Sequence, residues 1–172
     1  MRPAPLSTCG VTETVEPIVS KTTTDDGGTV LRLEFQFAFP PTVLWKHLTD
    51  EGKLKYWFPC EMEFEPKKDE EILFRYADQK PLRGTVLEAE RPSVLAYTWE
   101  RDTLRWELAR TGDNGAQLVL LLTPGSPRHA ATMAAGWHLT IAGLDDFLNK
   151  RNLGQNPALW DVYVERYREQ FA

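Results

Sequence analysis

Cysteine is scarce in this chain. Cys9 and Cys60 are the two among 172 residues, and they show neither the spacing of a zinc site nor the density of a disulfide framework. A reduced, cytoplasmic compartment is the expectation. An excess of positive charge is also missing: 20 basic against 25 acidic residues give a net charge of −5, with no local basic cluster. That argues against nucleic acid or an anionic membrane surface as partner. No run approaches the roughly 18 apolar residues of a membrane span, and the opening MRPAPLSTCG lacks the apolar core of a signal peptide. No His, Cys or carboxylate set falls at ligand spacing, so neither a metal nor a cofactor is expected. Internal repeats and low-complexity tracts are absent as well.

What is present is alternation. Leu31, Leu33, Phe35, Phe37 and Phe39 alternate with Arg32, Glu34, Gln36 and Ala38, the period-two pattern of a half-buried strand. Ahead of it, Asp26-Gly27-Gly28 offers the positive-φ positions of a tight turn, so a hairpin arm is plausible, with Pro17 restricting it to an edge. Pro40 and Pro41 stop the strand, and Pro41 suits the first turn of a helix because its missing N–H has no intrahelical partner there. Leu44, Trp45 and Leu48 mark one short helix, and Leu54, Tyr56 and Trp57 a second.

From Glu61 to Thr123 period two resumes in six short strands. Their inward candidates are Met62/Phe64, Ile72/Phe74/Tyr76, Thr85/Leu87/Ala89, Leu95/Tyr97/Trp99, Leu104/Trp106/Leu108 and Leu118/Leu120/Leu122. Turn chemistry separates them, which gives an antiparallel meander. Ser126-Pro127 reads as a cap and a first helical residue. Beyond it Ala130, Ala134, Trp137, Ile141, Leu144 and Leu148 recur at helical spacing, with Asp145 and Asp146 on the other side. A second signal at Asn156-Pro157 starts a final helix whose stripe is Trp160, Tyr163, Val164, Tyr167 and Phe171.

The expectation is an α+β fold: a curved antiparallel sheet of six to seven strands wrapped around a long C-terminal helix. Residues 1–28 form an extension, partly flexible or a hairpin arm, 29–150 the domain, and 151–172 an amphipathic helical extension. The order of elements resembles the helix-grip fold of the START-like (SRPBCC) superfamily. Within it the chain is most similar to the family of the C-terminal domain of the activator of heat-shock-chaperone ATPase. The residues that carry this are Leu44-Trp45-Lys46-His47-Leu48-Thr49-Asp50, Lys55-Tyr56-Trp57-Phe58, Tyr97-Thr98-Trp99, Trp106-Glu107-Leu108 and Gly136-Trp137 ahead of Leu139, Leu144 and Phe147. Both extensions lie outside that resemblance, which also does not reach the activator's separate N-terminal domain. Chaperone activation is therefore weakly supported. Ala116 stands where the family pattern commonly has threonine.

Small residues on the long helix, Ala130, Ala131, Ala134, Ala135 and Gly136, face large residues on the sheet. That arrangement leaves an apolar space unless the large side chains fill it. The expected ligand is a small apolar molecule in a cavity between sheet and helix, lined by Trp57, Phe74, Tyr97, Trp99, Met133, Trp137 and Ile141. Packed core is the competing reading for each of them. Catalysis has little support. His47, His129 and His138 are scattered; Ser126 beside His129 is better explained as a cap; Cys60 reads as an inert buried thiol. Among Arg75, Arg83 and Arg105, alternation turns Arg75 and Arg105 outward, away from a ligand. The alternatives to a carrier or sensor are a protein-interaction or co-chaperone-like module, and a cyclase- or hydrolase-like enzyme in the same cavity. The outward set of the last strand, Val119 and Leu121, is also apolar. A cover from the C-terminal helix or from a second copy in a homodimer is the expectation.

Overall fold

The computed structural model describes residues 16–151 and 156–172. Cys9 and most of the 1–28 extension lie outside them. Strands β1 (Ile18–Thr23) and β2 (Thr29–Phe37) form the hairpin, closed by a Thr24 to Gly28 turn in which Gly27 takes φ 83°. An L side chain is strained at that angle. β1 is the sheet edge, where Pro17 just before it costs no ladder bond.

Pro41 opens α1 (Pro41–Thr49), and Asp50, whose carboxylate accepts the Gly52 N–H at 2.8 Å, caps the single turn α2 (Glu51–Leu54). Six strands follow: β3 (Glu61–Glu63), β4 (Glu71–Arg75), β5 (Leu82–Glu90), β6 (Val94–Trp99), β7 (Asp102–Thr111) and β8 (Gly115–Thr123). All pairings are antiparallel in the order β1-β2-β8-β7-β6-β5-β4-β3. The eight strands exceed the expected six to seven because the hairpin arm joins the sheet and strand β2 is not its edge.

One strand departs from the predicted phase. In β5 the inward residues are Gly84 and Val86, while Thr85 and Leu87 face solvent, Leu87 at 42% exposure. A register shift between Val86 and Glu88 then turns Ala89 inward. The bulge reverses the alternation mid-strand. Gly84 is required here, since a Cβ would stand 2.0 Å from the Thr98 carbonyl oxygen and 2.9 Å from the Phe74 ring.

After a 3₁₀ turn at Pro127–His129, α3 (Ala130–Leu148) crosses the inner face of the sheet. The Ser126 side chain makes no capping bond; its backbone carbonyl accepts the His129 N–H instead. Leu31, Leu33, Phe35, Leu118, Leu120 and Leu122 are fully buried beneath α3, each worth about 1.5–3 kcal/mol of burial. Ala130, Ala134 and Ala135 are buried in the same core. The space beneath these small residues is thus filled.

The last helix, α4 (Ala158–Phe171), is started by Asn156, whose side chain accepts the Ala158 N–H at 3.1 Å. It packs against α3 and reaches β1 through Gln170 on the Val19 carbonyl and Lys21 on the Phe171 carbonyl. It does not cover the outer face of β8. Val119 lies in register between Glu34 and Glu107, and Leu121 between Arg32 and Arg105. The stems of those paired side chains (Arg32 with Glu34, Arg105 with Glu107 and Glu88) shield the apolar residues. Asp145 also departs from its predicted polar side: it is buried at 4% exposure and paired with Arg151 and Asn149.

Candidate ligand-binding groove

The open space lies along the flank of α3. The groove has a volume of about 1000 Å³, between α3, the segment 56–59, the β6–β7 turn and the start of α4. Its shape follows from α3, where Gly136, Thr140 and Gly143 recur on the groove face at helical spacing. A Cβ at Gly143 would meet nothing within 4 Å, and one at Gly136 would only touch the Trp160 ring at 3.5 Å.

One wall is aromatic. Trp137 meets Trp106 at 5.6 Å, Phe58 at 5.6 Å and Trp99 at 6.1 Å, and Phe58 stacks on Trp99 at 5.4 Å. Trp57 is pinned by its indole N–H, which donates to the His47 carbonyl at 2.9 Å. Rigid rings in mutual edge and stacked contact make a preorganised surface, so little order has to be created on binding. Tyr56 (61% exposed) and Trp160 (40%) are the exposed large aromatics of the groove's rim.

Of the seven residues expected to line a cavity, Trp57, Trp99, Met133 and Trp137 border the groove. Phe74, Tyr97 and Ile141 sit behind it in the packed core. Phe74 stacks on Trp99 at 4.7 Å and Tyr97 accepts the Trp106 indole N–H at 3.1 Å, so both support the wall without reaching the open space. Leu139, Thr140, Gly143, Asp146 and Tyr163 were missed. The signal for two of them, Thr140 and Gly143, was their helical spacing from Gly136.

The polar groups in the groove are acidic or neutral. Glu100, Asp102 and Asp146 line it together with Tyr76, Thr140 and Asn156. Burial, then the neighbouring Cys60 and to a smaller degree the Glu100 charge, holds the Tyr76 phenol above its ordinary range. Next to Tyr76, burial pushes the Cys60 thiol up to about 11, the inert state expected of it. His138 faces away from the groove. Its Nδ1 is 2.8 Å from the Tyr167 hydroxyl, its Nε2 has no partner, and burial lowers its pKa to about 4. His47 bonds its Nδ1 to the Val43 carbonyl at 2.8 Å, and burial lowers its pKa too. Arg75 pairs with Glu63, Arg83 with Glu71 and Arg105 with Glu88, all on the outer surface. Among the described residues no group of three or more His, Cys, Asp or Glu is arranged to hold a metal ion, and no helix is long and apolar enough to cross a membrane.

The model of the family described as Activator of Hsp90 ATPase homolog 1-like protein matches residues 38–149. The chain belongs to this family. That stretch holds the paired short helices, the meander and α3, and so all of the groove except its α4 border. Solved structures that share this chain's fold include the following three. CalU16 from Micromonospora echinospora superposes with a TM-score of 0.70 at 18% identity, covering 91% of this chain and 96% of its own. EF2215 from Enterococcus faecalis, a conserved protein of unknown function, gives 0.73 at 20% identity, over 89% and 90%. The Hsp90 activator PFC0360w from Plasmodium falciparum gives 0.58 at 17% identity, over 70% and 96%. No curated protein matches the sequence. The resemblance read from the motifs and the helix-grip architecture therefore both hold.

Proposed function

We propose that this protein binds a small hydrophobic molecule in the groove beside α3, as a carrier or sensor. The observation that carries this is an open volume of about 1000 Å³ walled by Trp57, Phe58, Trp99 and Trp137. Ligand pockets of about 300–1,000 Å³ with mostly apolar walls and a few polar groups are the common kind. The filled core beneath the alanines supports reading this flank, rather than the space under α3, as the ligand's place.

The test uses N-phenyl-1-naphthylamine, a neutral apolar fluorophore. Binding brings a rise in probe emission, quenching of tryptophan emission and a higher Tm. Replacing Gly143 with Phe, which projects into empty space on the groove face, weakens all three responses. The absence of both quenching and thermal stabilisation with the native chain would sink the proposal.

A second reading is a protein-interaction or co-chaperone-like module. It draws on the exposed Tyr56 and Trp160 at the rim and on the family's Hsp90 connection. Co-elution with purified Hsp90, lost on Tyr56→Ala and unaffected by Gly143→Phe, would favour it. An enzyme of the cyclase or hydrolase kind would have to work with Glu100, Asp102, Asp146 and Tyr76. Among the described residues no His, Cys or Ser lines the groove.

A further inference from the structure

The charge in the groove narrows the class of ligand. Its lining carries three carboxylates, on Glu100, Asp102 and Asp146, and among the described residues no Lys, Arg or His. Asp146 shares its charge with Arg151, whose Nε lies 3.1 Å from its carboxylate. Asp102 accepts the Gly125 N–H at 2.8 Å, which orients the carboxylate and leaves its charge in place. Among the described residues Glu100 has no hydrogen-bond or ion-pair partner. It stands in the β6–β7 turn at φ 54°, an unusual angle for a non-glycine residue. Lys55 lies over the Tyr56 ring at 5.1 Å and Arg166 over the Tyr163 ring at 4.8 Å, both outside the lining, so the free aromatic faces are those of the tryptophan wall.

Aromatic faces add to this field. A cation over the face of Trp or Tyr is attracted by the ring quadrupole, more strongly when desolvated. An anion entering the same space meets like charge and negative ring faces. Glu100, which is exposed to solvent, and Asp102 line the groove together with Trp99, whose ring contacts Phe58, Phe74 and Trp137.

Resting on the ligand-binding reading above, we infer that the groove selects a hydrophobic cation, an organic amine or quaternary ammonium on an aromatic or aliphatic body. The aromatic wall takes the body, and Glu100 and Asp102 draw the charge. A neutral apolar molecule binds through the wall alone, and an organic anion is disfavoured.

Three probes with one apolar body test it by calorimetry at low salt: tert-butylbenzyl trimethylammonium, tert-butylbenzyl alcohol and tert-butylbenzoate. The cation is expected to bind about tenfold tighter than the alcohol, with the benzoate weakest. Glu100→Gln should narrow the cation-to-alcohol ratio by about threefold, and Glu100→Lys should shift preference toward the benzoate. Each variant is checked for a native melting curve. Equal affinities for cation and alcohol, or a ratio that neither variant changes, overturns the cation selectivity and leaves apolar binding standing. If none of the three probes binds, both the selectivity and the ligand-binding reading fall.

Discussion

The Tyr163 ring stacks on His138 with centroids 4.0 Å apart and planes 18° apart. This contact docks the C-terminal helix on the long one. Phe35 meets the imidazole edge-on at 6.2 Å, and the Tyr167 hydroxyl lies 2.8 Å from its Nδ1. A residue that the sequence showed only as one of three scattered histidines is thus a buried, neutral clamp between α3, α4 and β2.

The clamp is pH-dependent. Burial depresses the folded pKa of His138 to about 4 from 6.5, so its stabilising effect is complete above pH 6.5. As pH falls from there toward 4, the unfolded chain takes up a proton that the folded one refuses. Stability drops by up to about 3 kcal/mol, and below that window the loss is constant. His47 contributes in the same direction. Urea unfolding between pH 8 and 4 should show the gap between the native chain and His138→Phe closing as pH falls; parallel pH curves would contradict the clamp.

Gly143→Ala should stabilise the protein by about 1 kcal/mol, because glycine inside a helix costs roughly that against alanine. The added methyl meets open groove space. A Tm rise is the readout, and a fall would show that the site is not empty in solution.

Gly84→Ala should do the reverse. Its Cβ would collide at 2.0 Å with the Thr98 carbonyl oxygen, which is backbone and cannot swing aside. A loss of about 2–3 kcal/mol is expected from overpacking. Denaturant midpoints measure it, and an unchanged midpoint would refute the close approach of β5 and β6.

Cys60 should resist alkylation at pH 8 while the protein is native. Its thiol is buried and titrates at about 11, and the thiolate is the reactive form. Iodoacetamide followed by peptide mapping reads this residue separately from Cys9. Prompt modification of Cys60 in the folded state would overturn the assignment.

The sequence by itself determined the fold class. Leu31 to Phe37 alternate cleanly because every second residue meets one core, and proline at 40–41, 127 and 157 marks where helices begin. These are local properties, readable in one dimension. Four residues of the groove were legible as a group for the same reason: Trp57, Trp99, Met133 and Trp137 are large apolar residues on predicted inner faces.

Only the tertiary structure decided which of them meet open space. Phe74, Tyr97 and Ile141 have the same apolar character as their groove-lining neighbours. Whether such a side chain lines a cavity or fills one depends on what stands across from it. The same dependence moved the open space from beneath Ala130 and Ala134 to the flank of α3 at Thr140 and Gly143. In β5 the phase was lost because Thr85 and Leu87 look as inward as Gly84 and Val86 until the Thr98 backbone closes on Gly84 and a bulge reverses the strand. The role of α4 was decided in three dimensions too. Its aromatic stripe announced a buried face, but either side of the sheet was open to it. The outer face of β8 was already shielded by its own charged neighbours, whereas His138 on α3 offered a ring to stack on and a nitrogen to bond.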